Sequence, residues 1–470
     1  MNEKNRNISS SSFGKLVAFT PSASADASDS LNPFWIDSNT PTRRNSIRSA
    51  ISRSDDHHDP AAPGLDEEAQ LPKNHKGSHA FDDAHDSSDD KPSSSAVDPY
   101  DPNRPSLGIK QRLHHFTWAW YTWPMSTGGL ALLIGNQLKT FPGLNTLGFV
   151  VYFINLGLFT TVTLGLALRF WFHRGDFYRS ITHPREGFFV PTAFLAFATI
   201  ITSTHKYWIP DNDGALSWAI QGVFWGYVLL TLILAVAQYS FAFASHSHKL
   251  QSMMPTWILP IFPIMLSGTI ASVIAKTQAE ISILPVVGAG LTCQGLGLSV
   301  AMLMYAHMIG RLMQSGLPNR EHRTGLFMCV GPPAFTALAI IGMANSLERS
   351  TALGGMMLDK VMLYNMAVIG AVFLWALSLW WFAIALVAVI QSPPEYFHLG
   401  WWAAVFPNTG FTLASISMAR EFGSEPLMWC TTVMSVAMVC VYLFVLAFQI
   451  RAVIVQDIMY PGRDEDVEDH

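Results

Sequence analysis

Polar side chains that could bind an anion weakly recur just after five evenly spaced prolines. The prolines are Pro124, Pro191, Pro263, Pro332 and Pro407, each 67 to 75 residues from the next. Neutral hydroxyls and amides hold an ion weakly enough to release it again, as a pore requires. Small residues also serve close helix packing, but their recurrence after every proline favours pore lining. The candidate substrate-binding residues are Ser126, Thr127, Gly128, Thr192, Ser267, Thr336, Asn408 and Thr409.

Basic residues form a second repeat at the far ends of the same apolar stretches. They are 67 to 73 residues apart: Lys139, Lys206, Lys276, Arg349 and Arg420. Basic rings suit anion pores, so this repeat predicts a cationic ring at the outer mouth. The alternative is ordinary helix-end behaviour, in which cations complement the helix dipole and long side chains reach the interface.

Carboxylates are confined to loops and helix ends after residue 117. A carboxylate at the middle of a membrane costs about 2.5 to 3.5 kcal/mol and usually marks a cation or proton path. We therefore expect neither a cation channel nor a carboxylate-driven proton pump. An anion route stays open.

Cysteine and histidine offer little further chemistry. Cys293, Cys329, Cys430 and Cys440 lack CxxC spacing, so they indicate no disulfide framework and no zinc site. His307 lies deep in an apolar stretch, where a haem would need a second ligand at matching depth. We interpret it as a hydrogen-bonded interface residue. We expect no catalytic residue, no metal, no cofactor and no nucleic-acid partner.

The elements that position these residues are long apolar stretches, each able to cross a hydrocarbon core about 30 Å thick. The fold class predicted is an all-α membrane protein with ten transmembrane helices in five pairs. The predicted spans are 118 to 138, 147 to 171, 187 to 208, 215 to 243, 255 to 276, 281 to 311, 324 to 346, 359 to 391, 399 to 419 and 427 to 455.

Each proline falls in the first helix of a pair. A proline inside a helix costs roughly 3 kcal/mol, and membranes tolerate it only where protein or a water-filled cavity satisfies the freed backbone groups. The first helices are therefore predicted to be kinked, parallel and inward-facing around a pore. The second helices are longer and bulkier, which suits an outer ring. The result is a quasi-five-fold arrangement of five helical hairpins about an axis along the membrane normal.

Lys and Arg predict the orientation and the domains. If the chain starts in the cytoplasm, the inner segments hold thirteen of these residues and the outer ones six, which places both termini inside. Residues 1–103 are rich in Ser, Asp, His and Pro and are predicted to be a disordered cytoplasmic tail, in which RRNS, residues 43 to 46, matches a basic-directed kinase site. No signal peptide is evident. Residues 104–456 are the predicted transport domain, and residues 457–470 a short acidic tail.

Two stretches carry a family resemblance. RLHHFTWAWYTWPMSTGGLALLI (112 to 134) and WWAAVFPNTGFTLASISMA (401 to 419) resemble the tellurite-resistance/dicarboxylate transporter family, and within it the fungal malic acid transporters. The resemblance covers about residues 110 to 456. It implies a slow anion channel-like fold, a homotrimer with one pore per subunit, and a pore blocked at mid-height by a phenylalanine, here Phe406. From its residue type alone, Phe406 is as compatible with a core or lipid-facing position as with a pore gate.

The function implied is transport of C4-dicarboxylate anions, malate first and succinate next, across the plasma membrane. A sulfite exporter or an inorganic anion channel of the same fold is the alternative. A haem protein using His307 lacks a second buried ligand, and a seven-helix receptor does not fit the predicted spans.

Deletion of residues 1 to 95 is expected to leave a folded, monodisperse membrane domain that still transports. The reason is that this segment has no apolar run that could pack. Size-exclusion chromatography and flux of the truncated protein test it. Aggregation, or loss of an oligomer that the full chain forms, would mean that the tail is structural.

Overall fold

The computed structural model describes residues 104–209, 214–245, 250–348 and 359–463, and the elements within these ranges are all helical. The predicted tail 1–103 with its RRNS site, Arg349, and residues 464–470 of the predicted acidic tail lie outside the described residues.

The described part of the chain contains ten long α-helices and two short ones, α1 and α4. Their bounds are α1 Ile109–His114, α2 Thr122–Gly135, α3 Leu144–Phe172, α4 Asp176–Thr182, α5 Val190–Trp208, α6 Gly214–Ser245, α7 Phe262–Ile274, α8 Glu280–Ser315, α9 Gly331–Glu348, α10 Lys360–Gln391, α11 Phe406–Phe422 and α12 Glu425–Val455.

Eight helical stretches in the described ranges are long and apolar enough to cross a membrane. They contain α3, α5 to α10 and α12, and the stretches around α5, α7 and α9 include the helical turns that precede these helices. The remaining long helices, α2 and α11, have 14 and 17 residues and fall short of that length. Helix α2 lies within the predicted span 118 to 138, and α11 overlaps the predicted span 399 to 419 but ends three residues beyond it.

The five prolines stand at helix starts, which differs from the predicted kinks inside continuous helices. Each predicted first helix is a 3-10 helical segment that passes into an α-helix, and the proline is the second or third residue of that α-helix. At this position the missing N–H would have had no partner within the helix, and the fixed φ favours the first turn. Proline therefore sets where each inner α-helix begins. The 3-10 segments are Trp118–Tyr121, Glu186–Phe189, Pro255–Ile261, Arg320–Val330 and Leu399–Ala404.

The five proline helices pack in a closed ring. Helix α2 contacts α5, α5 contacts α7, α7 contacts α9, α9 contacts α11, and α11 returns to α2. The longer helices lie outside this ring, each over the groove between two inner ones: α3 over α2 and α5, α6 over α5 and α7, α8 over α7 and α9, α10 over α9 and α11, and α12 over α11 and α2.

Burial separates the two layers. In the most apolar 18-residue segment of each stretch around α5, α7 and α9, 72 to 89% of the residues are buried. In the corresponding segments of the outer helices, 22 to 39% of the residues are buried. The outer faces expose large apolar side chains such as Trp218, Phe243 and Phe373. Apolar residues that face outwards on long helices are typical of contact with lipid.

Candidate functional site

Three phenylalanine rings meet at the centre of the inner ring of helices. Phe406, the first residue of α11, stacks on Phe335 of α9 with ring centroids 5.0 Å apart. It also meets Phe262 of α7 edge to face at 6.3 Å, and Phe262 meets Phe335 at 5.9 Å. Phe406 is only 2% exposed. Edge-to-face and offset contacts of this kind hold aromatic clusters in fixed positions.

Each of the three rings rests against a glycine of a neighbouring helix. A methyl group on Gly129 of α2 would touch Phe406, one on Gly331 of α9 would overlap Phe262, and one on Gly410 of α11 would overlap Phe335. These glycines follow or precede the prolines by at most five residues. Their lack of a side chain is what lets large rings reach the centre.

Phe406 lies between two small cavities. The first cavity is lined by Phe262 and Met328 among others, the second by Phe335 and Leu266, and Phe406 lines both. Each has a volume of about 20 Å³. A cavity of that size holds about one water molecule, so neither has room for an organic anion in this conformation.

Threonines are the polar residues that border the two cavities, whose inner surfaces are mainly apolar. Thr122 and the predicted Thr192 line the first cavity. The predicted Thr409 lines the second cavity, together with Thr199, Thr202 and Thr269. Several of these hydroxyls donate to the backbone of their own helix, as Thr192 does to Phe189 O at 2.6 Å. Such a hydroxyl can bind an anion only if its single proton rotates away from the backbone oxygen.

The other predicted binding residues divide into two groups. Thr127 contacts Tyr442 of α12 at 2.9 Å, Thr336 accepts from Gln294 of α8 at 2.7 Å, and Gly128 packs where a methyl group would overlap Thr199. These three residues serve contacts between helices.

Ser126, Ser267 and Asn408 form the second group. All three are buried, and Ser126 Oγ, Ser267 Oγ and Asn408 Oδ1 have no hydrogen-bond partner within the described part of the chain. Buried polar atoms are nearly always satisfied by protein or ordered water. None of the three residues lines either small cavity or the vestibule, although the sequence predicted them for the pore.

Sequence reasoning missed Thr199 and Thr202 in the second cavity, and it noted Thr269 only as one of the hydroxyl residues near Pro263. The available signal was periodicity, since Thr192, Thr199 and Thr202 are spaced seven and three residues apart on α5. Residues at these spacings share one helix face. Thr269 follows Ser267 too closely to share its face.

A wider cavity of about 520 Å³ opens on the side where the inner helices begin. It meets the first small cavity at Met328 and Gly400, which line both. Its basic lining residues are Arg185, Arg311 and Arg463. We call this cavity the vestibule. The sequence placed these arginines on the inner side but gave no reason to group them.

Two imidazoles and one carboxylate are other ionisable groups that line the vestibule. His398 lies 5.9 Å from His322 between ring centroids and contacts the backbone oxygen of Glu321. Burial, followed by the charge of His322, lowers the pKa of His398 to about 4. The Glu321 carboxylate accepts from the backbone N–H groups of Glu395 and Tyr396. At neutral pH His398 is therefore uncharged, and the arginines supply the positive potential.

The predicted outer cations lie at the opposite ends of the inner helices, apart from Arg349, which is outside the described residues. Lys206 and Arg420 stand in the last turns of α5 and α11, and Lys276 follows α7. Lys139, after α2, forms an ion pair with Glu425 at 2.8 Å. Glu421 also lies at this end, accepting from Asn345 at 3.0 Å. Carboxylates thus offset part of the charge predicted for this mouth.

Neutralising two of these cations, Lys276→Gln with Arg420→Gln, is expected to weaken apparent affinity for anions presented from that side. The physical reason is that a cluster of positive charge raises the local anion concentration through a field screened over about 8 Å at physiological ionic strength. The loss should shrink as salt rises. Substrate affinity against ionic strength measures it.

Lys139→Gln with Glu425→Gln is the matched control for that test, because it removes a cation and its partner together and leaves the net charge of this mouth unchanged. Unchanged affinity of the Lys276→Gln/Arg420→Gln variant at low salt would exclude a role of the ring in capturing anions. Lower expression without a change in affinity would indicate that these cations only stabilise helix ends.

Comparison with known proteins agrees with this architecture. Residues 115–450 match the family profile described as voltage-dependent anion channel, SLAC1. A malic acid transport protein of Schizosaccharomyces pombe is 32% identical over 368 residues, covering 77% of this chain and 84% of that protein. A putative malic acid transport protein of the same organism is 30% identical over 370 residues, 77% of this chain and 86% of that protein. A sulfite efflux pump of Trichophyton rubrum is 23% identical over 343 residues, covering 72% of this chain and 91% of that protein.

The fold defines a class of protein: a multi-pass helical membrane protein whose inner helices are rich in small residues and form a ring. The chain belongs to the SLAC1/tellurite-resistance dicarboxylate transporter family, a family of anion transporters and channels, as its resemblance in two motifs predicted.

Proposed function

We propose that this protein carries C4-dicarboxylate anions, malate first and succinate next, across the plasma membrane through a central pore closed by Phe406. The observation that carries the proposal is the arrangement around Phe406. Five helix starts surround it, small and mainly apolar cavities bordered by threonines lie on both of its sides, and an arginine-lined vestibule leads to it.

Helix direction supports an anion as the solute. The inner helices all begin near the level of the phenylalanine rings, so their positive dipole ends face the first cavity and the vestibule. Such helix starts attract negative charge, and Arg185 and Arg311 add to that field at the entrance. The narrow part beyond carries hydroxyls rather than fixed charges, so an anion drawn in is not trapped.

The choice of malate is supported by the relatives. Two proteins at 30 to 32% identity are named for malic acid transport, whereas the sulfite efflux pump is 23% identical. Sulfite export or inorganic anion conduction through the same pore is the second candidate. The small cavities favour neither, because each must widen even for an inorganic anion.

The membrane arrangement is part of the proposal. Counted with their 3-10 turns, α2 and α11 extend from Trp118 to Gly135 and from Leu399 to Phe422, long enough at about 1.5 to 2 Å per residue to reach through the hydrocarbon core. The fold then has ten spans in five pairs, with both termini cytoplasmic. The apolar outer faces contact lipid and, in part, neighbouring subunits of a homotrimer.

Flux into proteoliposomes tests the substrate. Malate, succinate, sulfite and chloride are offered in turn, with imposed pH and voltage gradients. We expect malate and succinate to enter faster than sulfite or chloride. Malate and succinate should also compete with each other for entry. Because one net charge crossing 100 mV corresponds to about 2.3 kcal/mol, the voltage dependence reports which ionic form moves. Transport of sulfite or chloride without malate would establish the second candidate.

A further inference from the structure

Two imidazoles and a carboxylate converge at a place that the anion pathway does not use. His114 is the last residue of α1, His173 follows the end of α3, and Asp176 is the first residue of α4. One ligand atom from each of the three residues lies within 4.8 Å of the other two. None of the three lines the vestibule or the two small cavities.

The polar atoms in this cluster are poorly satisfied by the protein itself. His114 Nδ1, His173 Nδ1 and Asp176 Oδ2 are buried, and none makes a hydrogen bond within the described residues. His114 Nδ1 lies 2.6 Å from Asp176 Oδ2, an ion-pair contact without hydrogen-bond geometry. The two imidazole rings stand 4.8 Å apart between centroids. Buried polar atoms nearly always have a hydrogen-bond partner or bind water or an ion, so these three atoms indicate a site for a ligand or an ion.

The charge around the cluster allows a cation to bind. Arg169 Nε is 3.6 Å from Asp176 Oδ2, which would oppose a metal. However, the guanidinium of Arg169 is engaged by Glu186, with Nη1 to Oε1 at 2.5 Å and Nη2 to Oε2 at 3.3 Å. The buried Arg169–Glu186 pair is neutral as a unit, so the Asp176 carboxylate keeps its charge for another partner.

We propose that His114, His173 and Asp176 form a binding site for a zinc-class divalent cation, with water as the fourth ligand. Two imidazoles and one carboxylate are a donor set that Zn²⁺ takes readily, at about 2.0 to 2.2 Å from each ligand atom. Tetrahedral ligands at those lengths are about 3.3 Å apart. The 2.6 Å contact between His114 Nδ1 and Asp176 Oδ2 must therefore open by small side-chain rotations when the ion binds. His114 is 40% exposed on its side chain, which gives the ion a way in.

Bound metal would tie α1 to the segment joining α3 and α4. Cysteine spacing gave no hint of this site, because its donors are nitrogen and oxygen and are separated by up to 62 residues in the chain.

Zinc titration of the full-length purified protein, after treatment with a chelator, tests the proposal. The chain contains 16 histidines, so the result is read as a difference between variants. We expect the wild type to bind one more Zn²⁺ per chain than His173→Ala or Asp176→Asn, with the variants weaker at this site by more than ~100-fold. His115→Ala, which removes the neighbouring imidazole, should keep the site. Equal stoichiometry and affinity in all four proteins would overturn the proposal and leave only an ion pair.

A gain-of-function variant keeps the test valid if those substitutions impair folding. Asp176→Cys places a thiolate, a stronger ligand for soft metals, at the same point. With Co²⁺ it should give a thiolate-to-metal charge-transfer absorption band that disappears when His114→Ala is added. A monodisperse Asp176→Cys protein without that band would overturn the proposal.

Discussion

Phe406→Ala is expected to raise malate flux by at least about tenfold, the change produced by a barrier lower by ~1.4 kcal/mol. The Phe406 ring lines both small cavities, so its removal joins them. Phe335 and Phe262 contact the Phe406 ring at centroid distances of 5.0 and 6.3 Å. Each of these two rings is also packed against a glycine of a neighbouring helix, so we expect both to keep their places and leave the space of the lost ring open.

The matched control for this variant is Phe411→Ala. Phe411 lies on the same helix and is 4% exposed, but it stacks on Trp375 and Phe382 and lines neither small cavity. Both substitutions should lower stability by about 3 to 5 kcal/mol, as removal of a buried phenylalanine ring does. Only Phe406→Ala should increase flux.

Flux per molecule in proteoliposomes, corrected for reconstituted protein, gives the comparison. An equal rise in both variants would mean general loosening of the helices. Equal or lower flux in Phe406→Ala, in protein that remains monodisperse, would exclude a gate at this residue.

The helical layers could be predicted from the sequence because they follow from local signals. Regular prolines marked the five inner stretches, and long bulky stretches marked the outer ones. The helix starts were harder, because the 3-10 segments before Pro124 and Pro407 are as apolar as the α-helices that follow. Hydropathy does not distinguish these two backbone forms, whereas the position of proline at a first turn does.

The candidate site was less predictable, because it depends on which way each side chain points. Phe406 came from the family resemblance, and the Phe335 and Phe262 rings that pack on it became evident only from the structure. Thr127 and Thr336 follow the prolines as Thr192 does, yet they contact outer helices. Each residue of an α-helix is rotated by about 100° from the one before it, so a shift of one position decides whether a threonine faces the cavity or an outer helix. The content of small residues does not show which face a threonine lies on.

Arg169→Met is expected to lower the free energy of unfolding by about 3 to 5 kcal/mol, the usual cost of removing one partner of a buried ion pair. Arg169 is 4% exposed and Glu186 2%, and their side chains meet in a two-point contact. Arg169 Nη1 also donates to Phe116 O at 3.0 Å, next to the first inner helix. The substitution leaves the Glu186 carboxylate buried without this guanidinium and Phe116 O without this donor.

The double variant Arg169→Met with Glu186→Leu should recover most of that loss, since replacing both charges by apolar groups removes the desolvation cost together with the attraction. Lys139→Gln breaks the exposed pair with Glu425 and should cost under about 1 kcal/mol. Reversible denaturation in mixed micelles, in buffer free of divalent metal, gives the three values. If Arg169→Met costs no more than Lys139→Gln, the buried pair contributes nothing beyond a surface contact. If the double variant is no more stable than the single, the loss comes from the contacts of Arg169 with Phe116 O and Asp176, and the charge left on Glu186 is not its cause.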